Sequence, residues 1–130
     1  MLADRQYVAL SNFRSELARF LRFSERAARA AGITPTQYLL LLHVRGFPGP
    51  DQATVGELAG RLQASAHGTA ALINRCAALG LVSKHRRDQD ARQVEVQLTA
   101  RARRLVERIA VRHRDELQSL REVFRVAHVS

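Results

Sequence analysis

Between residues 61 and 104 the chain carries nine basic side chains against three acidic ones, and from 61 to 87 it carries no acid at all. Guanidinium and ammonium groups at that density have one obvious chemistry, the neutralisation of phosphate. The densest part is Lys84, His85, Arg86 and Arg87, followed across the polar stretch Asp88-Gln89-Asp90-Ala91 by Arg92. Upstream, Ser65-Ala66-His67-Gly68-Thr69 reads as a capped helix start, whose free amides and positive dipole suit an anion. Leu72, Ile73 and Cys76 mark the inner face of that helix and leave Ala66, His67, Ala70, Ala71 and Asn74 outward. Of these, only His67 and Asn74 can hydrogen-bond to base edges, while Ala66 or Ala70 could touch a thymine methyl. The candidate DNA-contacting residues are therefore Ser65, Ala66, His67, Thr69, Ala70, Asn74, Arg75, Lys84, Arg86, Arg87, Asp90 and Arg92.

Other chemistry is poorly represented. The five histidines, His43, His67, His85, His113 and His128, show no short metal-ligand spacing, and each reads as structural or surface. The single Cys76 allows neither an intramolecular disulfide nor a cysteine zinc cluster, and it reads as a small buried hydrophobe. No nucleophile motif, phosphate loop or spaced carboxylate pair is present. The expectation is no enzyme, no cofactor and no metal. His43, among leucines, could line a small-ligand pocket with Tyr38, Phe13 and Leu17; the competing reading is a satisfied core histidine.

The elements that must position these residues follow from period and punctuation. Residues from about 6 to 31 place Phe13, Leu17, Phe20 and Ala27 at helical spacing, and Gly32 ends that amphipathic helix. Thr34-Pro35-Thr36-Gln37 combines a cap, a proline at the first helical position and a capping box, opening a helix to about Arg45. Gly46-Phe47-Pro48-Gly49-Pro50 breaks it. Thr54-Val55-Gly56-Glu57 is a second capping box, and it opens a short helix through Leu62. The tight break Gln63-Ala64-Ser65 then leads into the helix from about 66 to 79, ended by Gly80, which together make a helix-turn-helix. Val94, Val96 and Leu98 alternate with polar residues, a period of two that predicts a strand with one buried face. Paired with the strand over 82–85, it forms a hairpin with a basic tip. Thr99 caps a final helix expected to run without interruption to about Ala127, with Leu105, Val106, Ile109, Leu117, Leu120 and Phe124 along one face.

The expected fold is mostly α with a small β-hairpin, a winged helix-turn-helix within a single domain over 1–130. Residues 33–98 form the DNA-binding core, and 1–31 and 99–130 form long terminal dimerisation helices. Those two helices have no core of their own, so pairing with a twofold mate is the expected way to cover their stripes. A net charge of +9 places the chain among basic domains suited to nucleic acid. No apolar run reaches 18 residues, and the N-terminal stretch lacks the pattern of a signal peptide, so no membrane partner is expected and the location is cytoplasmic.

Four stretches in order resemble the MarR family (multiple antibiotic resistance regulators) over nearly the whole chain. They are Gly32-Ile33-Thr34-Pro35-Thr36-Gln37-Tyr38; Thr54-Val55-Gly56-Glu57-Leu58-Ala59-Gly60-Arg61-Leu62; Leu79-Gly80-Leu81-Val82; and Asp90-Ala91-Arg92 with Val94, Val96, Leu98 and Thr99. The resemblance implies a homodimeric, sequence-specific transcriptional regulator, a repressor by expectation. It would bind a pseudo-palindromic operator in double-stranded DNA and be released by a small-molecule effector, with Asp90 pairing with Arg92 near the tip of the wing. Three features depart from the family. Gln63 stands where the helix-turn-helix turn often has glycine, a change able to alter that turn. Arg101-Ala102-Arg103 makes the segment after the wing more basic. The recognition helix is poor in long polar side chains. Two other functions fit such a surface: a charge-driven, non-specific DNA binder, or a dimeric interaction module that no longer binds DNA specifically.

Overall fold

Four helix starts are built from side chains that accept the amides a first turn leaves unpaired. In the computed structural model, which describes residues 1–49, 53–88 and 90–126, Thr34 Oγ1 accepts from Gln37 N at 3.1 Å while Gln37 Oε1 accepts from Thr34 N at 3.0 Å. Thr54 and Glu57 repeat this reciprocal pair at 3.3 and 3.1 Å. Ser65 Oγ accepts from Gly68 N at 2.9 Å, and Thr99 Oγ1 accepts from Ala102 N at 3.2 Å. These caps open α2 (Pro35–Arg45), α3 (Val55–Leu62), α4 (Ala66–Ala78) and α5 (Ala100–Val111). Before them runs α1 (Asp4–Ala30), and after them α6 (Arg114–Val126). Gly32 and Gly80 take φ of +89° and +73°, left-handed values that let the chain turn out of α1 and α4.

The alternating run becomes β3 (Asp90–Leu98), paired antiparallel with β2 (Val82–Arg87) in the register Val82↔Leu98, Lys84↔Val96 and Arg86↔Val94. The other edge of β3 takes β1 (Ala53–Thr54), giving a three-stranded sheet in the order β1-β3-β2. Two residues carry no readable period, so β1 has no sequence signal. It exists because β3 offers a free edge beside the start of α3.

The core gathers around α2, which packs against α1, α3, α4, α5 and β3. Leu40, Leu41, Leu58, Ile73, Val96 and Ile109 are at most 1 % exposed within it. Two expectations are corrected by this packing. First, α5 has a core of its own in a single chain: Ala102, Leu105, Val106 and Ile109 are all buried. The exposed terminal apolar surface includes Tyr7, Val8, Leu10 and Leu21 on α1, with Val111 and Leu117 around the α5–α6 junction.

Second, the last helix is not continuous. It breaks at Arg112–His113, between α5 and α6. His113 is the cause. Its Nδ1 lies 2.8 Å from Ile109 O, and a carbonyl can only accept, so Nδ1 carries the proton. With that carbonyl engaged by a side chain, the backbone tightens: Arg112 N bonds Ile109 O and His113 N bonds Ala110 O, both three residues back rather than four. The expected end of the helix at Ala127 lies outside the described residues, as does the side chain of Phe124.

Candidate nucleic-acid interface

The first turn of α4 is open to solvent. Ser65, Ala66, His67 and Gly68 are exposed, and Ala70 and Ala71 are half-buried. Thr69 is a correction. It is 1 % exposed, and its Oγ1 has no hydrogen-bond partner among the described residues. Counting helical steps of three, four and seven from Thr69 gives Leu72, Ile73 and Cys76, the buried face of the helix, so the hydroxyl is turned into the core and away from any ligand. Burial pushes the Cys76 thiol up, while neighbouring Arg75 pulls it the other way. A neutral thiol in the core is a packing group, as expected.

Asn74 and Arg75 remain exposed. Asn74 is not a free reader of bases, however. Lys84 Nζ on β2 donates to Asn74 Oδ1 at 2.6 Å and ties the hairpin to the recognition helix. Asn74 is left with its amide hydrogens to offer and Lys84 with its remaining donors. The other hairpin cations divide by role. Arg87 is half-buried, its Nε donating to Glu95 at 2.7 Å and its Nη1 to Gln93 at 2.8 Å, so it braces the two strands. Arg86 is exposed. Arg92 N donates to Asp90 Oδ1 at 3.0 Å, and Arg92 Nε lies 3.3 Å from the same oxygen. That bond aims a guanidinium whose side chain is still 92 % exposed. His85 Nε2 lies 3.0 Å from Ser83 Oγ. The structure therefore brings together an open, capped helix start and a basic hairpin, clamped to each other by one hydrogen bond.

A helix-turn-helix followed at once by such a hairpin is a winged helix, and residues 31–93 match the MarR family's sequence model. That match covers 63 of the 130 residues. Solved structures agree in fold across both the winged helix and the terminal helices. A MarR family protein from Bacillus stearothermophilus aligns with a TM-score of 0.77 at 21 % identity, covering 92 % of this chain and 82 % of that one. AbsC, a MarR family transcriptional regulator from Streptomyces coelicolor, aligns at 0.74 and 19 % identity over 92 % and 80 %. The MepR–DNA complex of S. aureus aligns at 0.71 and 20 % identity over 86 % and 81 %. No curated protein sequence matches the chain significantly.

The helix-turn-helix turn forms with Gln63 where the resemblance leads one to expect glycine. Gln63 takes φ 52° and ψ 46°, the left-handed conformation, and Ala64 N still closes back onto Ala59 O at 3.0 Å. Arg101 closes the other end of α4, where its guanidinium donates to Leu79 O and covers the last carbonyls of the helix.

The four residues considered for a ligand pocket stand on two helices, Phe13 and Leu17 on α1 and Tyr38 and His43 on α2. Phe13 and Leu17 are half-buried on α1. Tyr38 is 3 % exposed and its ring stacks on His113, with centroids 5.9 Å apart and planes 13° from parallel. Phe20 and Phe23 meet the same imidazole edge-on at 5.6 and 5.3 Å. Burial pushes the Tyr38 hydroxyl up. His43 is held below its ordinary value, first by burial and then by the Arg61 guanidinium, whose own carbon sits 5.2 Å over the Phe47 ring. His113 is the residue that sequence reasoning undervalued. Its signal was its spacing, four after Ile109 and seven after Val106, on the stripe that α5 buries. Among the described residues no group of three or more His, Cys, Asp or Glu could hold a metal, and no helix is long and apolar enough to cross a membrane.

Proposed function

We propose that this chain is a cytoplasmic homodimeric transcriptional regulator of the repressor type, which binds a pseudo-palindromic site in double-stranded DNA and is released by a small ligand. The first turn of α4 enters the major groove, with Ser65 at its cap and Ala66, His67, Ala70 and Arg75 on or beside the reading face. The hairpin lies along the adjacent backbone and minor groove, where Arg92 and Arg86 meet phosphate. The observation that carries this reading is the 2.6 Å bond between Lys84 and Asn74, which fixes the basic hairpin beside the open end of the recognition helix. DNA in the MepR complex and the name of AbsC as a transcriptional regulator support it. Dimerisation is supported by the exposed Tyr7, Val8, Leu10, Leu21, Val111 and Leu117, whose cover a second copy supplies.

A second reading, charge-driven binding without sequence preference, is favoured by the short side chains on the reading face and by the engagement of Asn74 with the hairpin. DNA selection from a random pool, followed by fluorescence anisotropy on the selected and on random duplexes at one fixed salt concentration, separates the two. Under the specific reading, His67→Ala lowers the selected-to-random affinity ratio by about 1 kcal/mol, the low end for a base contact. A ratio unmoved by His67→Ala, with both affinities falling together in Arg86→Ala, favours the charge-driven reading.

A further inference from the structure

Of the 21 lysine and arginine side chains in this protein, only one is a lysine, Lys84. A guanidinium stays protonated and delocalised, and it resists acylation. An ε-amine is a nucleophile once its proton leaves, and acylation removes its charge. Lys84 is therefore the one basic side chain whose charge small-molecule acyl chemistry can cancel. It is also the cation on which the interface turns. Exposed at the third position of β2, it donates from Nζ to Asn74 Oδ1 on α4 at 2.6 Å and ties the hairpin to the recognition helix.

The surroundings select the acyl donor. Successive residues of a strand point to opposite faces, so Arg86 shares the Lys84 face of β2, about 7 Å further along. Arg75, exposed next to Asn74 on α4, adds a guanidinium on the helix side. Lys84 itself forms no ion pair with a carboxylate among the described residues. Guanidinium groups suit phosphate, so a small dianion that carries an activated acyl group is drawn to this cluster. Such a molecule is an acyl phosphate, and it arrives with its carbonyl beside the only side-chain amine in the chain.

We propose that Lys84 is a site of acylation by small acyl phosphates, and that the modification loosens the protein from DNA. In the step, the ammonium first gives a proton to solvent. The amine nitrogen attacks the acyl carbon, a C–N bond forms, and the C–O bond to phosphate breaks with its electron pair leaving on phosphate. The second proton lost by nitrogen goes to the departing phosphate, and nothing is oxidised or reduced. The product amide has no charge and a single N–H. Its bond to Asn74 Oδ1 falls from a charge-assisted one to at best a neutral one, about half as strong. The hairpin also loses a partner for phosphate. This regulation rests on the DNA-binding reading, since it acts on the same surface.

The test treats the purified protein with acetyl phosphate, with inorganic phosphate as the blank. Peptide mass spectrometry locates the acetyl groups. Fluorescence anisotropy on selected and random duplexes, over a series of salt concentrations, gives the affinity before and after. Lys84 should be acetylated ahead of the α-amine. DNA binding should weaken about ten-fold as Lys84 fills, with a salt slope shallower by about one. Lys84→Arg, compared only with itself before and after treatment, should respond no more than the blank. Lys84 left unmodified while the α-amine is acetylated overturns the proposal. So does acetylated Lys84 with unchanged affinity, or a Lys84→Arg protein that loses as much on treatment as the parent. An untreated protein that binds neither duplex refutes the DNA-binding reading itself and takes the proposal with it; that result is read before any acetylation, so the two failures are distinct.

Discussion

Replacing Gln63 by glycine should stabilise the protein slightly, and the size of the effect can be worked from the backbone. At φ 52° and ψ 46° a side chain's Cβ crowds the following carbonyl, which costs about 1–2 kcal/mol relative to ordinary backbone. Glycine removes that cost but leaves the unfolded chain freer, which returns about 0.5–1 kcal/mol to the unfolded state. The Gln63 side chain is exposed and makes no hydrogen bond among the described residues, so little else is lost. The net gain is centred on about 0.75 kcal/mol within a span of roughly 0–1.5, seen at the centre as a rise in Tm of about 3–6 °C. Gln63→Ala keeps Cβ and the strain and should lie within about 0.5 kcal/mol of the parent. Gln63→Val adds a branched Cβ to the same left-handed site and should be destabilised by about 1 kcal/mol. Urea unfolding of the four proteins at one concentration ranks them Gly, then parent and Ala together, then Val. A glycine variant no more stable than alanine would mean that the turn stores no strain, which refutes the premise of the ranking.

Three other outcomes follow from named contacts. Arg92→Ala should leave the melting curve unchanged, because its side chain is 92 % exposed, yet make the slope of log affinity for DNA against log salt shallower by about one; an unchanged slope would remove the wing from the interface. His43 is depressed below its usual value of 6.5, so its neutral form is the one the fold prefers, and that contribution is complete above pH 6.5 and lost as pH falls through the lower folded value. Denaturant midpoints measured from pH 7 down to about pH 5 should therefore fall more steeply for the parent than for His43→Gln, and parallel curves would deny the coupling. Leu117 is 56 % exposed, so Leu117→Glu should convert a dimer to monomer in light scattering while each chain stays folded; a parent that is already monomeric at micromolar concentration would dismiss the dimer.

What could be read from the sequence was what is local. Thr34 with Gln37, Thr54 with Glu57, and Ser65 ahead of Gly68 are chemical pairs three residues apart, and all three close in the structure. The alternation of Val94, Val96 and Leu98 needed only the pleat of a strand to be understood. The site was harder, because its deciding contacts join residues distant in the chain or act against residue type. Lys84 reaches Asn74 across two elements, which turns a nominal base reader into a strut. Thr69 has the polarity of a surface residue but the helical phase of a core one, and phase prevailed. The break before α6 has no glycine or proline to announce it. It comes from an imidazole bonding its own backbone, and nothing in the residue types alone distinguishes that from a histidine facing solvent.

Ser65 and Gly68 have a consequence for how this surface can change over time. A Cβ built on Gly68 would sit 3.0 Å from Ser65 Oγ, the atom that caps α4. A side chain introduced at 68 asks that hydroxyl to give by a few tenths of an ångström, while the caps of α2, α3 and α5 keep their bonds to Gln37, Glu57 and Ala102, all of which carry a Cβ. The most that such crowding can cost is the cap itself, about 1 kcal/mol. A library diversified along α4 therefore meets Ser65 and Gly68 as a lightly coupled pair, in which the residue at 65 supplies the cap and the residue at 68 sets how closely it closes. Ala66 and His67, which lie between them in sequence and open to solvent, vary with less mutual constraint.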